Sequence, residues 1–273
     1  MSDVVTLTLR APLTERIDAD GLKPDRLASL SRAEMSAIEL WHGRSRVPLG
    51  DLFDIDGERS SRVRIVGDVR LLDGIGAGMT AGEMIIDGDA GTHVGAEMSG
   101  GCIEVLGSAG DDAGLGMAGG SIVIDGQAGD RVAAGLPGAA RGMTGGEVIV
   151  TGSVGAEAGA RMRRGLLFIG GDTGEQVGRD LIAGTIIVRG RSGPEPAIRS
   201  KRGTLVAIGG IDVPPTYRYA CTYEPPYVRL ALVHVRRKYH MDFTRELSSG
   251  RYRRFCGDAS TIGKGEILEW TST

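Results

Sequence analysis

Glycine recurs at a fixed spacing through the middle of the chain and divides it into units of nearly equal length. The steps between the glycines that close successive units are 19, 19, 26, 19, 19 and 19 residues, so one unit carries a seven-residue insertion. A short fixed period is the signature of a repeat protein, in which each unit contacts only its neighbours along one axis. The closing glycines are Gly82, Gly101, Gly120, Gly146, Gly165, Gly184 and Gly203.

Three further sets of equivalent positions, here called columns, recur at the same spacing. This recurrence distinguishes a true repeat from a stretch that is merely rich in glycine. Two are glycine columns that begin at Gly88 and Gly91, and the third is apolar. We interpret the glycines as bends that need a positive φ or close approach of two backbones, and the apolar residues as filling of the interior. The apolar column consists of Met79, Met98, Met117, Met143, Met162 and Leu181.

Each unit contains one five-residue run of β-branched and aliphatic residues, which predicts one short strand. The 12 to 14 residues that remain are rich in Gly, Ala and Asp and lack the periodicity of a crossover helix. Because consecutive strands must then stack in parallel, we predict an all-β fold, a single-stranded right-handed parallel β-helix of about seven 19-residue coils. The runs span 83–87, 102–106, 121–125, 147–151, 166–170, 185–189 and 204–208.

The third residue of each strand is apolar where a polar residue is expected. The second and fourth residues are apolar and face the core, so the third should point outwards, yet only Glu104 is polar there. Strands that are apolar on both faces are normally covered on both faces. We therefore predict that the third residues, here called the outer stripe, pack against the chain's own tail or against another subunit. The outer stripe consists of Ile85, Val123, Ile149, Phe168, Ile187 and Val206.

The segment before the repeat, residues 1–60, lacks the period and is predicted to be a small α+β cap. It contains an alternating strand at residues 4–9 and a helix near residues 31–41. Ser31 and Glu34 form a capping box for that helix. A repeat array needs an atypical end to cover its first unit, and this segment fits that role.

The β-helix is predicted to span residues 61–210 and to be followed by an irregular aromatic and basic C-terminal arm, residues 211–273. This arm contains nine of the twelve aromatic residues. Pro214-Pro215 and Pro225-Pro226 indicate extended, turning chain rather than helix. With 10 Lys and Arg against 7 Asp and Glu, the arm is too weakly basic to predict nucleic-acid binding.

Charge is distributed unevenly along the repeat although the net charge is only −3. Residues 67–160 contain 13 acids and 3 bases, whereas residues 161–202 contain 9 bases and 4 acids. A run of like charge is often only a solvated surface. The alternative is that the basic half contacts a partner subunit or an anionic carrier. The candidate contact residues are Arg161, Arg163, Arg164, Arg189, Lys201 and Arg202.

Motifs for chemistry are weak throughout the chain. Gly114-x-Gly116-x-x-Gly119 matches the sequence of a dinucleotide-binding fingerprint. However, Gly114 and Gly119 occupy positions of the repeat, and no helix is predicted after them. The four histidines are scattered, and the three cysteines form no CxxC pair, which disfavours a metal site or a disulfide framework. We predict no catalytic, metal-binding or cofactor-binding residue in this chain.

The N-terminus lacks the features of an export signal. Asp3 and Arg10 interrupt the first twelve residues, and no run of 18 apolar residues occurs anywhere. The sequence therefore predicts a cytoplasmic protein with no membrane partner. Carboxylates at strand edges resemble those of secreted β-helix lyases, but the absence of an export signal makes a freestanding β-helical enzyme the weaker alternative.

Two sets of motifs resemble a known family. The units Gly-x-x-Met-x-Gly-Gly, with Gly88-Asp-Ala-Gly91 between them, resemble the GXGXG β-helix domain of the glutamate synthase large subunit and of the C subunit of formylmethanofuran dehydrogenase. The lead-in Leu27-x-x-Leu-Ser31-x-x-Glu34, Trp41-x-Gly43 and 49–54 is similar to the dehydrogenase subunit and not to glutamate synthase. The resemblance covers about residues 22–210.

This resemblance implies one of two enzyme complexes. In methanogens, the C subunit belongs to a molybdenum- or tungsten-containing dehydrogenase with iron–sulfur subunits. In aerobic methylotrophic bacteria, the related complex is a formyltransferase/hydrolase, which moves a formyl group between tetrahydromethanopterin and a methanofuran-type carrier and releases formate. The chain has 28 Arg and 4 Lys, the reverse of the Lys enrichment of hyperthermophiles, which favours the bacterial complex.

The resemblance also implies a division of labour. The chain is then a non-catalytic structural subunit whose partners are an amidohydrolase-like subunit, a formyltransferase subunit and a dehydrogenase-like subunit. It would hold no cofactor itself, since the carrier and tetrahydromethanopterin are handled by the sister subunits. A molybdenum or tungsten pterin would be present in a sister subunit only in the archaeal-type alternative.

Overall fold

The computed structural model describes residues 4–241 and 250–271, and most of its regular structure is β-strand. The helices are α1 (Pro24–Leu27), α2 (Arg32–Ser36), α3 (Leu49–Leu52) and α4 (Pro226–Tyr239). The strands are β1 (Val5–Leu9), β2 (Ile17–Asp18), β3 (Glu39–His42), β4 (Ser45–Pro48), β5 (Phe53–Asp56), β6 (Arg62–Val66), β7 (Leu72–Asp73), β8 (Glu83–Asp87), β9 (Cys102–Val105), β10 (Ser121–Ile124), β11 (Glu147–Val150), β12 (Leu166–Ile169), β13 (Thr185–Val188), β14 (Thr204–Ala207), β15 (Arg218–Tyr223), β16 (Arg251–Gly257) and β17 (Gly265–Thr271).

One thirteen-stranded sheet holds the molecule together, in the order β15-β16-β17-β14-β13-β12-β11-β10-β9-β8-β6-β1-β5. From β6 to β14 each strand lies parallel to the strand of the next unit, with equivalent positions aligned. Ile122 pairs with Ile103 on one side and with Val148 on the other, so the insertion does not shift the register. The predicted strand of each unit is present, and most end one residue earlier than expected.

A second ladder joins the connecting segments of the units. It consists of isolated parallel bridges that link Val69, Ala90, Ala109, Ala128, Val154 and Thr173 in turn. Carboxylates reinforce these contacts: Asp111 Oδ1 accepts the backbone N–H of Asp130 at 2.8 Å, and Asp130 Oδ1 accepts that of Ala156 at 2.7 Å. The abundance of Asp in the connecting segments thus satisfies backbone donors that no strand pairs.

The glycine columns have two different causes. Gly165 closes a unit with φ of +102°, and a Cβ there would lie 2.5 Å from the carbonyl oxygen of Gly146. Gly152, in the second column, has no positive φ, but a Cβ would lie 2.5 Å from the carbonyl oxygen of Gly126. Backbone conformation and close stacking therefore both exclude a side chain.

One hydrophobic core runs from the N-terminal segment through the repeat to the tail. The whole methionine column is buried in it, as expected for an interior stack. The two ends of the repeat are continuous with the flanking segments, since β1 pairs in parallel with β6 and β17 pairs in parallel with β14. The core and the sheet therefore extend beyond the 19-residue repeat in both directions.

The N-terminal helix is shorter than predicted. Its capping box is present, with the Ser31 N–H donating to Glu34 Oε2 at 2.8 Å, but α2 ends at Ser36. The chain then enters β3, which pairs with β4 in an antiparallel hairpin and buries Leu40. Helical signals at residues 31–41 were overridden because β-pairing places Leu40 in the core.

The tail is regular, which contradicts the prediction of an irregular arm. It forms β15, α4, β16 and β17, while residues 242–249 and 272–273 of the predicted arm lie outside the described residues. The interpretation of Pro225-Pro226 as extended chain was wrong, because Pro225 is the N-cap of α4 and Pro226 its first residue. Backbone N–H groups in the first turn of a helix have no acceptor within the helix, so the N–H that proline lacks is not needed there. The fixed φ of proline also suits a helical conformation.

Candidate functional site

The tail helix covers much of the outer stripe. Ile149, Phe168, Ile187 and Val206 are fully buried and pack in one cluster with the tail. Val123 is partly buried at its border, whereas Ile85 is half-buried and lies outside it. The tail residues of the cluster include Val228, Leu232 and Val235 of α4, together with Tyr252 and Leu268.

Glu147, the first residue of β11, anchors the C-terminal end of α4. Its carboxylate accepts hydrogen bonds from His234 Nε2 at 2.8 Å, from Lys238 Nζ at 2.7 Å and from the Tyr239 hydroxyl. Burial acts to raise the pKa of Glu147, but the bonds from Lys238, Tyr239 and His234 outweigh it and hold the pKa below its ordinary value. Burial and the adjacent carboxylate raise the pKa of Tyr239 to about 12.

A groove of about 640 Å³, here called the basic groove, lies between the repeat and the tail. It is lined by the closing glycines Gly165 and Gly184 and by the residues before them. The end of the seven-residue insertion and a tail loop also line it. The other lining residues are Ala140, Arg141, Arg163, Arg164, Ile182, Ala183, Lys201, Arg202 and Ile262.

Four of the six predicted basic residues meet in this groove. Arg163 is half-buried, while Arg164, Lys201 and Arg202 are exposed. Within residues 4–241 and 250–271, none of these four side chains has an ion-pair partner. Their uncompensated positive charge attracts anions, and the guanidinium groups suit carboxylates or phosphates through paired hydrogen bonds.

The other two predicted basic residues lie elsewhere. Arg161 donates from Nη1 to the carbonyl oxygen of Ala139 at 3.0 Å, which fixes the insertion. Arg189 follows β13 and has an interaction of its own, but it does not line the groove. Nearby arginines are also neutralised: Arg179 pairs with Glu157 at 2.6 Å and Arg199 with Asp180 at 2.9 Å. Among the described residues, the basic half therefore contains cations that have a partner and the four groove cations, which have no ion-pair partner.

Sequence reasoning missed several lining residues, among them Arg141 and Ile262. Arg141 is the last residue of the insertion, and its position beside the irregular unit was the one available signal. Ile262 comes from the loop between β16 and β17, and nothing in the repeat spacing connects it with Arg163. Its side chain is 51% exposed, which makes it an apolar contact available at the rim.

The tail loop is fixed to the repeat by a buried carboxylate. Asp258 Oδ2 accepts the backbone N–H of Arg199 at 2.8 Å, and its Oδ1 accepts that of Ser260 at 2.8 Å. Burial acts to raise the pKa of Asp258, but the bonds from Ser260 and Arg199 hold it below its ordinary value. The Thr261 hydroxyl donates to the carbonyl oxygen of Ser200 at 2.6 Å, so the loop lies directly beside Lys201.

The charged side chains that line the groove are cations, which suits the groove to binding anions. Among the residues that the structure describes, no group of three or more His, Cys, Asp or Glu side chains is arranged to hold a metal ion. Over the same residues, no helix combines the length and apolar character needed to cross a membrane.

Comparison with curated proteins gives partial matches to enzyme subunits, while no protein-family model matches the chain. The C subunit of molybdenum-containing formylmethanofuran dehydrogenase 1 from Methanosarcina barkeri is 34% identical over 99 residues, or 34% of this chain and 33% of the relative. The C subunit of the formyltransferase/hydrolase complex Fhc from Methylorubrum extorquens is 36% identical over 86 residues, or 32% of each. The matches thus span about a third of these relatives' length.

A solved structure extends the likeness to the whole chain. It is the X-ray crystal structure of the formyltransferase/hydrolase complex FhcABCD from Methylorubrum extorquens in complex with methylofuran. One of its chains matches with a TM-score of 0.88 and 35% identity, over 98% of this chain and 100% of that chain. The chain belongs to the formylmethanofuran dehydrogenase C-subunit family. The predicted resemblance to the C subunit of formylmethanofuran dehydrogenase is thereby confirmed, and the C-subunit family includes members from both kinds of complex.

Proposed function

We propose that this member of the C-subunit family acts in a formyltransferase/hydrolase complex, which moves a formyl group between tetrahydromethanopterin and a methanofuran-type carrier and releases formate. The single observation that carries the proposal is the match over the full length to a chain of the FhcABCD structure, which contains methylofuran. The alternative, a molybdenum or tungsten formylmethanofuran dehydrogenase, has support from relatives matched over about a third of their length.

The fold proposed for this role is a right-handed parallel β-helix of about seven coils. The two parallel ladders, one through β6 to β14 and one through the connecting segments, support it. We also propose that the chain divides into a cap at 1–60, a β-helix at 61–210 and an arm at 211–273. The sheet pairings of β1 with β6 and of β14 with β17 make the three parts one packed body.

The role proposed for the chain is structural. Its interior is filled by the buried methionine column and by aliphatic strand residues, and many outward charges are engaged in ion pairs between neighbouring units. A partner protein would therefore recognise the surface of the chain. We propose that the sister subunits are an amidohydrolase-like, a formyltransferase and a dehydrogenase-like protein, which hold the carrier and tetrahydromethanopterin.

Native purification tests this function. A tagged copy of the chain, expressed at its natural level in its own host, is expected to co-purify with the sister subunits and with formyl-transfer activity that releases formate. Metal analysis of the same sample separates the alternatives: stoichiometric molybdenum or tungsten supports the dehydrogenase. An active monomer supports a freestanding enzyme and rejects the structural role. The cytoplasmic location stays a prediction, which cell fractionation of the same strain checks.

A further inference from the structure

Four cations of the basic groove lie as two pairs on two units that are not adjacent, while a fifth, Arg141, ends the insertion. Backbone hydrogen bonds stack three equivalent positions: Arg163 N–H donates to Met143 O, Ile182 N–H to Met162 O, and Lys201 N–H to Leu181 O. Arg164 and Arg202 are the next residues of the first and third units. Neighbouring parallel strands are about 4.8 Å apart, so the two cation pairs are separated by roughly 10 Å.

The unit between the cation pairs is apolar. Ile182 and Ala183 occupy the positions that Arg163 and Arg164 occupy one unit earlier, and both are partly accessible. Ile262 adds a second apolar side chain at the rim, with 51% of its surface exposed. The groove therefore presents charge, then apolar surface, then charge. A ligand charged evenly along its length would bring an anion against the apolar unit, where that anion would lose hydration without gaining a partner.

An α-helix matches this spacing more closely than an extended peptide does. Seven residues of helix rise about 10.5 Å, and residues i, i+3 or i+4, and i+7 share one face. In an extended strand, side chains on one face are spaced at about 6.6 or 13 Å, which matches the spacing of the two cation pairs less closely. A helix with carboxylates at i and i+7 and an aliphatic residue between them matches all three positions.

We propose that the basic groove binds an acidic amphipathic helix of a sister subunit, with Asp or Glu seven residues apart over the two cation pairs and an aliphatic residue between Ile182 and Ile262. Charge complementarity selects this occupant, because the four cations have no ion-pair partner among the described residues of their own chain. The inference rests on the proposed function, which supplies the assembly.

Charge reversal in the intact complex is the first test. The variants are Arg163→Glu/Arg164→Glu and Lys201→Glu/Arg202→Glu, compared with Arg236→Glu/Arg237→Glu, two adjacent exposed arginines of α4. Each groove variant is expected to speed dissociation of one sister subunit by about tenfold or more, since opposed charges at the interface then repel. The α4 variant, with the same change of net charge, is expected to stay within about twofold. Equal rates for groove variants and wild type overturn the proposal.

Crosslinking identifies the occupant. A photoreactive amino acid placed at Ile262 in the full chain is expected to crosslink to a helix of a co-purifying subunit, and the mapped peptide is expected to carry acids seven residues apart. Changing to Lys only the acid that faces positions 163 and 164 is expected to restore assembly of the Arg163→Glu/Arg164→Glu variant, whereas the same change at the other acid is not. Crosslinking to a small polycarboxylate carrier, or to a peptide without that spacing, overturns the proposal. A wild-type chain that purifies alone instead refutes the proposed function, so the two failures are distinguishable.

Discussion

Glu147 binds Lys238, 91 residues further along the chain, with 2.7 Å between Oε2 and Nζ. The same carboxylate accepts hydrogen bonds from His234 and Tyr239, so one side chain of the repeat holds the last turn of α4. The rest of the helix is held by apolar contacts with the outer stripe. Polar anchoring at one end and apolar packing along the length are therefore separable by mutation.

Glu147→Gln is expected to loosen α4 without unfolding the repeat. The substitution removes a largely buried charge that accepts three hydrogen bonds, and we expect it to lower the stability of the α4 contact by about 1 to 3 kcal/mol. Hydrogen exchange of the α4 amides measures this directly. Glu104→Gln is the matched control, because Glu104 is the third residue of β9 and lies outside the cluster that α4 covers. Equal α4 exchange in both variants would contradict the anchoring role.

The Glu147 contact also has a predictable pH dependence. Its pKa in the folded chain is lowered from the ordinary value of 4.5, so the folded state binds this proton less readily than the unfolded state does. The stabilisation is therefore complete above the ordinary pKa and is lost as the pH falls through the lowered value. After correction for the intrinsic pH dependence of amide exchange, the protection of the α4 amides should fall over that range in the wild type, and Glu147→Gln should remove this component. A wild-type profile in which the protection of the α4 amides stays constant below pH 4.5 would contradict this pH dependence.

Ile187→Ala and Ile85→Ala compare the covered and uncovered parts of the outer stripe. Both residues are the third of their strand, but Ile187 is fully buried in the cluster with α4 and Ile85 is half-buried outside it. We expect Ile187→Ala to cost about 2 to 5 kcal/mol of unfolding free energy, because it leaves a cavity in a packed cluster. Ile85→Ala is expected to cost about 1 kcal/mol or less. Urea unfolding measures both, and similar costs would mean that α4 does not cover the stripe in solution.

The repeat was predictable from the sequence because each of its physical requirements recurs. A glycine such as Gly165 and a methionine such as Met143 each have counterparts one unit away. A requirement that recurs in every unit can therefore be recognised even where a single unit departs from it. The outer stripe could be recognised as a surface that needs covering for the same reason. What covers it could not be chosen, because the α4 residues Val228 and Leu232 occur once and share no period with the strands.

The cationic part of the basic groove could be predicted for a related reason, but its apolar rim could not. Arg163, Arg164, Lys201 and Arg202 belong to the repeat, so their clustering follows from its register. Ile262 reaches the groove only because β17 continues the sheet beyond β14 and Asp258 fixes the preceding loop. That pairing joins segments about 60 residues apart without any shared motif, and a single sequence carries no signal for it.

Gly165→Ala tests whether the closing glycines are needed for stacking as well as for backbone conformation. Gly138 is the control, because it also has a positive φ, +78°, but no atom lies within 4 Å of a Cβ built there. Gly138→Ala should cost about 1 to 2 kcal/mol from the left-handed backbone alone. Gly165→Ala adds a clash with the carbonyl oxygen of Gly146, so we expect about 2 to 5 kcal/mol in total. Urea unfolding measures the difference, and equal costs would reject the stacking argument.

Asp258→Asn tests the fixing of the tail loop beside the groove. The buried carboxylate accepts one backbone N–H on each oxygen, and an amide keeps only one acceptor, so the N–H of Arg199 or Ser260 loses its partner. We expect a loss of about 1 to 3 kcal/mol in urea unfolding and faster hydrogen exchange in residues 259–264. Asp212→Asn is the control, since the exposed Asp212 pairs with Arg191 at the surface and should contribute less than about 1 kcal/mol.

The same carboxylate gives the tail loop a pH dependence. Because the pKa of Asp258 is lowered in the folded chain, its stabilisation is present above the ordinary value of 3.8 and is lost as the pH falls below it. After correction for intrinsic exchange, the protection of residues 259–264 should therefore fall at acid pH in the wild type and less so in Asp258→Asn. If Asp258→Asn left exchange in the loop at the wild-type rate at neutral pH, the carboxylate would not be what positions Ile262 at the groove.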